Sequence, residues 1–129
     1  MSIPFKTHFF RVEAAPDGLE DPPQLEAATT NQQLFEYRET HKLGDAFNNA
    51  ALKYDDAFFN DKALILIFIT EKSGSISHTV HVKYHGQVLH IDVTRLIPEG
   101  FVTMDMARWL AVIELESTYV KNHISLKII

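Results

Sequence analysis

Two histidines in the second half of the chain, His81 and His90, form its sharpest chemical pattern. They lie in stretches where polar and apolar residues alternate, as in half-buried strands, and residues 84–87 predict a two-residue His-Gly turn between them. That turn places His81 opposite His90 on the polar face, with Asp92 diagonal to His81. Imidazole and carboxylate groups are zinc ligands, so one hypothesis is a metal-dependent hydrolase that uses these three residues. The alternative is a solvent-facing polar surface of the sheet.

His78 is a second candidate, because it lies on the apolar face of the same hairpin beside three serines. It could act as the base for Ser73, Ser75 or Ser77. A serine nucleophile also needs an exposed, oriented hydroxyl and an oxyanion hole, and this segment has no Gly-x-Ser-x-Gly elbow. The pattern therefore favours a half-buried histidine satisfied by the backbone. We predict no catalytic residue and no enzyme activity.

The serine-rich loop over residues 73–77 favours binding over reaction. It follows a dense apolar run, residues 63–69, and precedes the alternating hairpin, so we expect it to join a buried strand to a second strand. It holds no metal-ligand set, but its small residues can bring the backbone close to a partner. We predict a protein-binding loop made of Ser73, Gly74, Ser75, Ile76 and Ser77.

A second binding segment is predicted around Trp109, the single tryptophan of the chain. Tryptophan and arginine are residue types that anchor interfaces, so Asp105, Arg108 and Trp109 are predicted to contact the partner. The alternative interpretation is structural. It makes Asp105, Arg108 and Glu114 a buried ion network and Trp109 a core residue.

Periodicity predicts the elements that position these residues. Thr30 is a helix cap with Gln33 three residues on, and apolar residues from Leu43 to Tyr54 recur at helical spacing. Two helices are therefore predicted, over residues 31–41 and 43–54. Strands are predicted over residues 5–12, 63–69, 76–84, 87–95, 109–116 and 124–129, with a loop over residues 13–24. On its apolar face, the predicted hairpin pairs Val82 with Leu89, Val80 with Ile91 and His78 with Val93.

These elements predict a single domain over residues 1–129 of the α+β class. We expect a mostly antiparallel sheet or an Ig-like sandwich over residues 63–129. The two short helices are inserted near the N-terminal third, over residues 31–54, and lie on one side or end of the sheet.

Composition narrows the function classes. The net charge is −5 and no basic stripe is present, which argues against nucleic-acid binding. The longest apolar run has seven residues, too few for a membrane span. There is no cysteine and no glycine-rich phosphate loop, so we predict no thiol chemistry and no cofactor. The chain as written is expected to be cytoplasmic, or extracytoplasmic if a leader has been removed.

Three separated blocks of the sequence carry a family resemblance. They are residues 54–59, residues 73–78 (Ser-Gly-Ser-Ile-Ser-His), and the stretch from Pro98 through Asp105-Met106-Ala107 to Trp109, followed by Ile113-Glu114-Leu115. Together they resemble a group of uncharacterised clostridial proteins, many of which look like secreted lipoproteins. This sequence departs from that group at Met104, where relatives tend to carry cysteine, and at Leu110, where they tend to carry histidine.

That group is similar in turn to the C-terminal domain of the protease-complex subunit PrcB. There a strand is followed by a Thr-Gly-Gly-Tyr loop, and residues 73–76 stand at the corresponding place. The arrangement also resembles chagasin-type cysteine-peptidase inhibitors, which are Ig-like sandwiches that insert loops into a protease cleft. The resemblance implies that residues 73–76 and the segment around Arg108 and Trp109 are presenting loops.

We therefore predict a non-enzymatic protein-binding module that inhibits or stabilises a peptidase. Two alternatives stay open. One is the metal-dependent hydrolase with His81, His90 and Asp92, and the other is an intracellular regulator of a host or phage system.

Overall fold

The computed structural model describes residues 3–12, 21–100 and 105–129, which form two β-sheets and a layer of short helices. The strands are β1 (Lys6–Val12), β2 (Leu25–Ala28), β3 (Lys62–Glu71), β4 (Ser77–His85), β5 (Val88–Leu96), β6 (Ala107–Glu116) and β7 (His123–Ile128). The helices are α1 (Asn31–His41), α2 (Asp45–Ala51) and α3 (Asp56–Phe59), and a 3₁₀ helix covers Ser117–Val120. Residues 13–20 of the predicted loop and the departure at Met104 lie outside the described residues.

The two sheets form a sandwich with the helices on one side. The larger sheet has the strand order β1-β6-β3-β2 and its pairs are antiparallel. The smaller sheet has the order β4-β5-β7, in which β4 and β5 are antiparallel and β5 and β7 are parallel. The predicted α+β class, a mostly antiparallel sandwich with short helices, is confirmed.

Strand β3 lies at the centre because both of its faces are apolar. Its residues 63–69 are all buried. One face, represented by Leu64 and Leu66, packs against the helices. The other face, represented by Ile65 and Ile67, packs against the smaller sheet. The prediction of a central strand covered on both sides is therefore correct.

The helical layer begins where the sequence predicts. Thr30 caps α1, because its Oγ1 accepts a hydrogen bond from the Gln33 backbone N–H at 3.1 Å. The Gln33 side chain returns to Thr29, whose backbone N–H donates at 2.7 Å, and not to the cap residue itself. The predicted second helix is shorter than expected, since α2 ends at Ala51. Asp55 then caps the separate helix α3, where it accepts a hydrogen bond from the Phe58 N–H.

The β4–β5 hairpin has the predicted faces but a different register. The turn residues are Gly86 and Gln87, with φ of 59° and 62°, the left-handed pair that a type I′ turn requires. The turn was predicted one residue earlier, so every cross-strand pair is displaced by two residues. Val82 lies opposite Ile91, and His78 lies opposite Arg95. An even displacement keeps each side chain on its predicted face.

Strand β2 was not predicted from the periodicity of the sequence. Its four residues pair antiparallel with β3, and the pairing begins with a hydrogen bond from the Phe68 N–H to the Gln24 carbonyl at 3.0 Å. A segment this short, with two alanines and a glutamate, lacks the β-branched residues that signal a strand. The helices in the described part of the chain are all too short or too polar to cross a membrane.

Candidate partner-binding site

The β3–β4 loop and the β5–β6 connection leave the sandwich at the same end. In the larger sheet, Glu71 at the end of β3 pairs with Ala107 at the start of β6. In the smaller sheet, Ser77 at the start of β4 pairs with Leu96 at the end of β5. Because a short loop joins β3 to β4, these strand ends coincide and the two predicted binding segments are neighbours. We call this region the loop end; its described residues are 72–76, 97–100 and 105–106.

The loop itself is a turn anchored from below by Ser73. The Ile76 N–H donates to the Ser73 carbonyl at 3.3 Å, and the Ser75 N–H donates to Ser73 Oγ at 3.1 Å. Ser73 is 2% exposed, so it supports the turn and does not offer its own side chain to a partner. The residues that follow it are more accessible: Gly74, Ser75 and Ile76 are half-buried, and Ser77 is exposed.

An ion pair between Arg11 and Asp105 holds the two segments together. Arg11 Nη2 donates to Asp105 Oδ2 at 2.8 Å, and the Gly74 N–H donates to Asp105 Oδ1 at 3.3 Å. Arg11 also reaches the Met106 carbonyl at 3.4 Å. A Cβ at Gly74 would lie 2.6 Å from Asp105 Oδ2, so a side chain here would displace the Asp105 carboxylate; Gly74 does not have a left-handed φ. We call this pair the Arg11–Asp105 clamp.

A small apolar slot opens beside the loop. Its volume is about 190 Å³, and its walls are Phe9, Ile76, Ser77, His78 and Trp109. The buried indole Nε1 of Trp109 finds no hydrogen-bond acceptor within the described ranges. The walls of the slot are mainly apolar, which suits an apolar side chain.

Glu71, His78 and Arg95 form a buried polar group beneath the loop. Glu71 accepts from Arg95 Nε at 2.9 Å through each carboxylate oxygen, and His78 Nε2 lies 2.9 Å from Glu71 Oε2. The side chains of His78 and Glu71 are 2% and 5% exposed. The His78 ring also stacks on Phe9, with 5.8 Å between the ring centroids. The prediction that the backbone satisfies His78 is therefore wrong, because a carboxylate does so.

Strand alternation carries a sequence signal for this buried group. Strand alternation places Glu71, His78 and Arg95 on the inner, apolar faces of β3, β4 and β5. Charged residues on an apolar strand face need partners, and opposite charges at neighbouring strand ends can supply them. The observed register is what brings His78 level with Arg95, so the group could not be assembled from the predicted register.

Large exposed hydrophobic residues border the loop end. Leu96, Ile97 and Met106 are 47%, 64% and 62% exposed, and they flank the β5–β6 connection. Phe35 and Leu52 are also exposed, but they lie on the helical layer. Clustered exposed apolar groups mark interaction surfaces in soluble proteins. We call Leu96, Ile97 and Met106 the apolar rim. Met106 lies within the predicted binding segment, residues 105–109, whereas Leu96 and Ile97 were not predicted to bind.

The expected ion network of Asp105, Arg108 and Glu114 does not form. Arg108 and Trp109 are adjacent in β6 and so point to opposite faces of the sheet. Arg108 Nε lies 3.7 Å from Asp21 Oδ1, on the side away from the slot. Arg108 was predicted to contact the partner together with Trp109. Because the two side chains lie on opposite faces of β6, Arg108 does not lie beside the slot that Trp109 lines.

Glu114 belongs to a separate polar cluster at the far end of β6. The Tyr54 hydroxyl donates to Glu114 Oε2 at 2.8 Å, His8 Nε2 lies 2.8 Å from the same oxygen, and Lys53 Nζ lies 3.4 Å from it. Burial pushes the pKa of Glu114 upward, but the bonds from Tyr54 and His8 and the Lys53 charge outweigh it and lower that pKa. Burial and the bond to Glu114 raise the pKa of Tyr54. The cluster joins β1, β6 and the end of the helical layer.

The polar face of the hairpin does not carry the predicted histidine pair. His81 lies opposite Asp92, and His90 lies opposite Lys83, because of the two-residue change in register. Within residues 3–12, 21–100 and 105–129, no group of three or more histidine, cysteine, aspartate or glutamate side chains is arranged to hold a metal ion.

No protein-family model, no curated protein and no solved structure matches this chain significantly.

Proposed function

We propose that this protein is a protein-binding module and that the loop end is its contact surface. The observation that carries the proposal is the convergence of four features at one end of the sandwich. They are the half-buried turn over residues 74–76, the Arg11–Asp105 clamp, the apolar slot and the apolar rim. Each feature alone is common on protein surfaces, but together they give the mixture of apolar centre and polar border that interfaces use.

The slot supports a protein partner more than a small molecule. Its volume of about 190 Å³ is below the usual range for ligand pockets, roughly 300–1,000 Å³. It is large enough to receive one apolar side chain. The exposed rim residues Ile97 and Met106 then offer apolar area around that anchor, as expected when a partner surface covers the whole end.

A peptidase is the partner class that we favour. The support comes from the resemblance of the strand–loop–strand arrangement to chagasin-type inhibitors, together with a sandwich that presents its loops at one end. The Thr-Gly-Tyr residues of the inhibitor loop are absent from residues 73–76. A pre-organised backbone favours binding, because rigidity lowers the entropy cost of association. The buried Glu71–His78–Arg95 group and the anchored Ser73 supply such rigidity beneath the turn.

Two charge-introducing variants test the module directly. Ile97→Lys and Met106→Lys place an ammonium group on the apolar rim, and Leu52→Lys makes the same change at an equally exposed position on the helical layer. Each protein is immobilised, incubated with lysate of the source organism, and its captured proteins are quantified by mass spectrometry. We expect a partner whose capture falls at least about tenfold with both rim variants and is unchanged with Leu52→Lys. Equal capture by all three variants would contradict the proposal.

The peptidase class has its own test. Wild-type protein is titrated into a papain-type cysteine peptidase, and hydrolysis of a fluorogenic peptide is followed. We expect inhibition that Met106→Lys weakens and Leu52→Lys preserves. If inhibition is absent while the rim-dependent partner of the capture experiment is present, the peptidase assignment is wrong and the binding module stands.

A further inference from the structure

A polar cavity lies between helix α1 and strand β2, away from the loop end. Its volume is about 360 Å³, which falls within the usual range for small-molecule sites, roughly 300–1,000 Å³. Helix α1 contributes Gln33, Glu36, Tyr37 and His41 to its walls, and β2 contributes Glu26. These walls are polar, in contrast to the apolar slot at the loop end.

Two side chains that line this cavity carry a buried polar atom without a hydrogen-bond partner among the described residues. The atoms are the Tyr37 hydroxyl oxygen and His41 Nδ1. Tyr37 is only 6% exposed, and its ring meets the His41 ring edge-on, with 4.8 Å between the centroids. A buried hydroxyl without a partner costs free energy, so a ligand that supplies the missing hydrogen bond gains affinity from it.

Strand pairing directs Glu26 toward the same cavity. Glu26 lies opposite Leu66, and Leu66 belongs to the face of β3 that packs against the helices. Because directly opposed residues share one face of a sheet, the Glu26 side chain lies on the helical side, as Tyr37 does. Burial and the negative charge of Glu26 raise the pKa of Tyr37 above its ordinary value, so the phenol keeps its proton.

The formal charges around the cavity are negative. Glu26 and Glu36 line it, and no lysine or arginine of the described residues does. The cationic side chains of α1 and its cap are engaged elsewhere. Arg38 donates to Asn48 of α2 at 3.3 Å, and Lys42 pairs with a glutamate outside the cavity at 3.5 Å. The cavity therefore favours a cation over an anion.

The polar atoms that remain can accept the hydrogen bonds of an ammonium group. The Glu26 carboxylate and the Tyr37 oxygen are acceptors, and so is His41 Nδ1 when the imidazole proton is on Nε2. Three acceptors match the three N–H donors of a primary ammonium group. The Tyr37 and His41 atoms are closed to water, so the ligand reaches them after an exposed rim side chain, such as Glu36, moves aside. Exposed side chains change rotamer within nanoseconds.

We propose that the cavity between α1 and β2 binds a primary ammonium group. Glu26 supplies the opposite charge, and Tyr37 and His41 supply the two acceptors that the fold leaves unused. A free organic amine and the lysine side chain of another protein both carry this group. The site is separate from the loop end, so either proposal can fail without the other.

Three probes with the same butyl chain test the ammonium group. Butylamine carries the charge with its N–H donors, the butyltrimethylammonium ion carries the charge without donors, and butanol carries no charge. NMR titration gives the dissociation constants. We expect butylamine to bind about tenfold more tightly than the quaternary ion, because hydrogen bonds to charged groups are the strong ones, and butanol to bind least. Equal affinities of the two cations would overturn the proposal.

Matched variants locate the site. Glu26→Gln removes the charge of an exposed side chain, and Glu39→Gln makes the same change on α1 outside the cavity. We expect Glu26→Gln to weaken butylamine binding about tenfold and Glu39→Gln to keep the wild-type affinity. Unchanged affinity in Glu26→Gln, or an equal loss in both variants, would overturn the assignment.

Tyr37→Phe separates a ligand contact from a structural role. The hydroxyl has no partner within the described ranges, so its removal should not lower the Tm of the protein without ligand. We expect the affinity for butylamine to fall about fivefold in this variant. A lower Tm with unchanged affinity would show that the hydroxyl only supports the fold, and would overturn its role.

A capped peptide with one central lysine distinguishes the two sources of the group. Binding of the peptide at least as tight as that of butylamine would support the proposal with a protein lysine as the ligand. Binding of butylamine without the peptide would support it with a free amine. Binding of neither probe in the NMR titration would overturn the proposal.

Discussion

Replacing Glu71 with glutamine tests whether the buried group beneath the loop holds the two sheets together. Glu71 is 5% exposed, and its two oxygens accept from Arg95 and His78 at 2.9 Å. Removing one partner of a buried ion pair costs about 3–5 kcal/mol. Arg95 is 34% exposed, so water compensates part of that loss, and the glutamine keeps one acceptor oxygen. We therefore expect a loss of about 2 kcal/mol in the free energy of unfolding.

Urea denaturation and thermal unfolding measure this loss. For a domain of this size, a loss of about 2 kcal/mol lowers the Tm by roughly 6–10 °C. Glu116→Gln is the matched control, because Glu116 is exposed at the end of β6, and its effect should stay within about 0.5 kcal/mol. Arg95→Gln combined with Glu71→Gln should cost less than the sum of the single changes, because the pair is broken only once. If Glu71→Gln is no more damaging than Glu116→Gln, the buried group does not stabilise the sandwich.

Three further predictions follow from other contacts. The lowered pKa of Glu114 means that its contribution is complete above the ordinary value of 4.5 and is lost as the pH falls through the folded-state pKa. Denaturation at several acidic pH values should therefore show a shallower loss of stability for Glu114→Gln than for wild type, and equal slopes would contradict it. Gly74→Ala should cost about 1–2 kcal/mol, because its Cβ displaces Asp105, but far less in an Asp105→Ala background. Equal costs in both backgrounds, measured in urea, would show that the clamp does not constrain the turn. Gln87→Gly should stabilise the protein by about 1 kcal/mol, because Gln87 has φ 62°; a lower urea midpoint would refute this.

Strand patterns in the sequence predict most of the fold. The apolar run of residues 63–69 identifies the central strand because burial on both faces requires it. The hairpin faces are predicted because alternation survives an even change of register. The register of the hairpin is not predicted by the sequence. Gly86 can occupy either central position of a two-residue turn, and tertiary packing decides which of the two positions it takes. β2 is missed because pairing with β3, and not local propensity, makes residues 25–28 a strand.

The candidate site could be predicted only in part. Small residues indicated the turn, and the tryptophan indicated the second segment, but their meeting depends on the pairing of β3 with β6. Arg11, which completes the clamp, is 94 positions from Asp105, and no local pattern links them. The error at Arg108 was avoidable, because alternation alone separates it from Trp109. Leu96 and Ile97 of the apolar rim were not predicted, because their exposure is a property of the folded chain.

Site-specific photocrosslinking in cells of the source organism tests the loop end most directly. A photoreactive amino acid is placed at Met106, on the apolar rim, and separately at Leu52, which is as exposed but lies on the helical layer. The proposed function predicts that a single heavier protein species crosslinks at position 106 and not at position 52. Crosslinking at position 52 alone, or the same species from both positions, would contradict the assignment of the loop end as the binding surface.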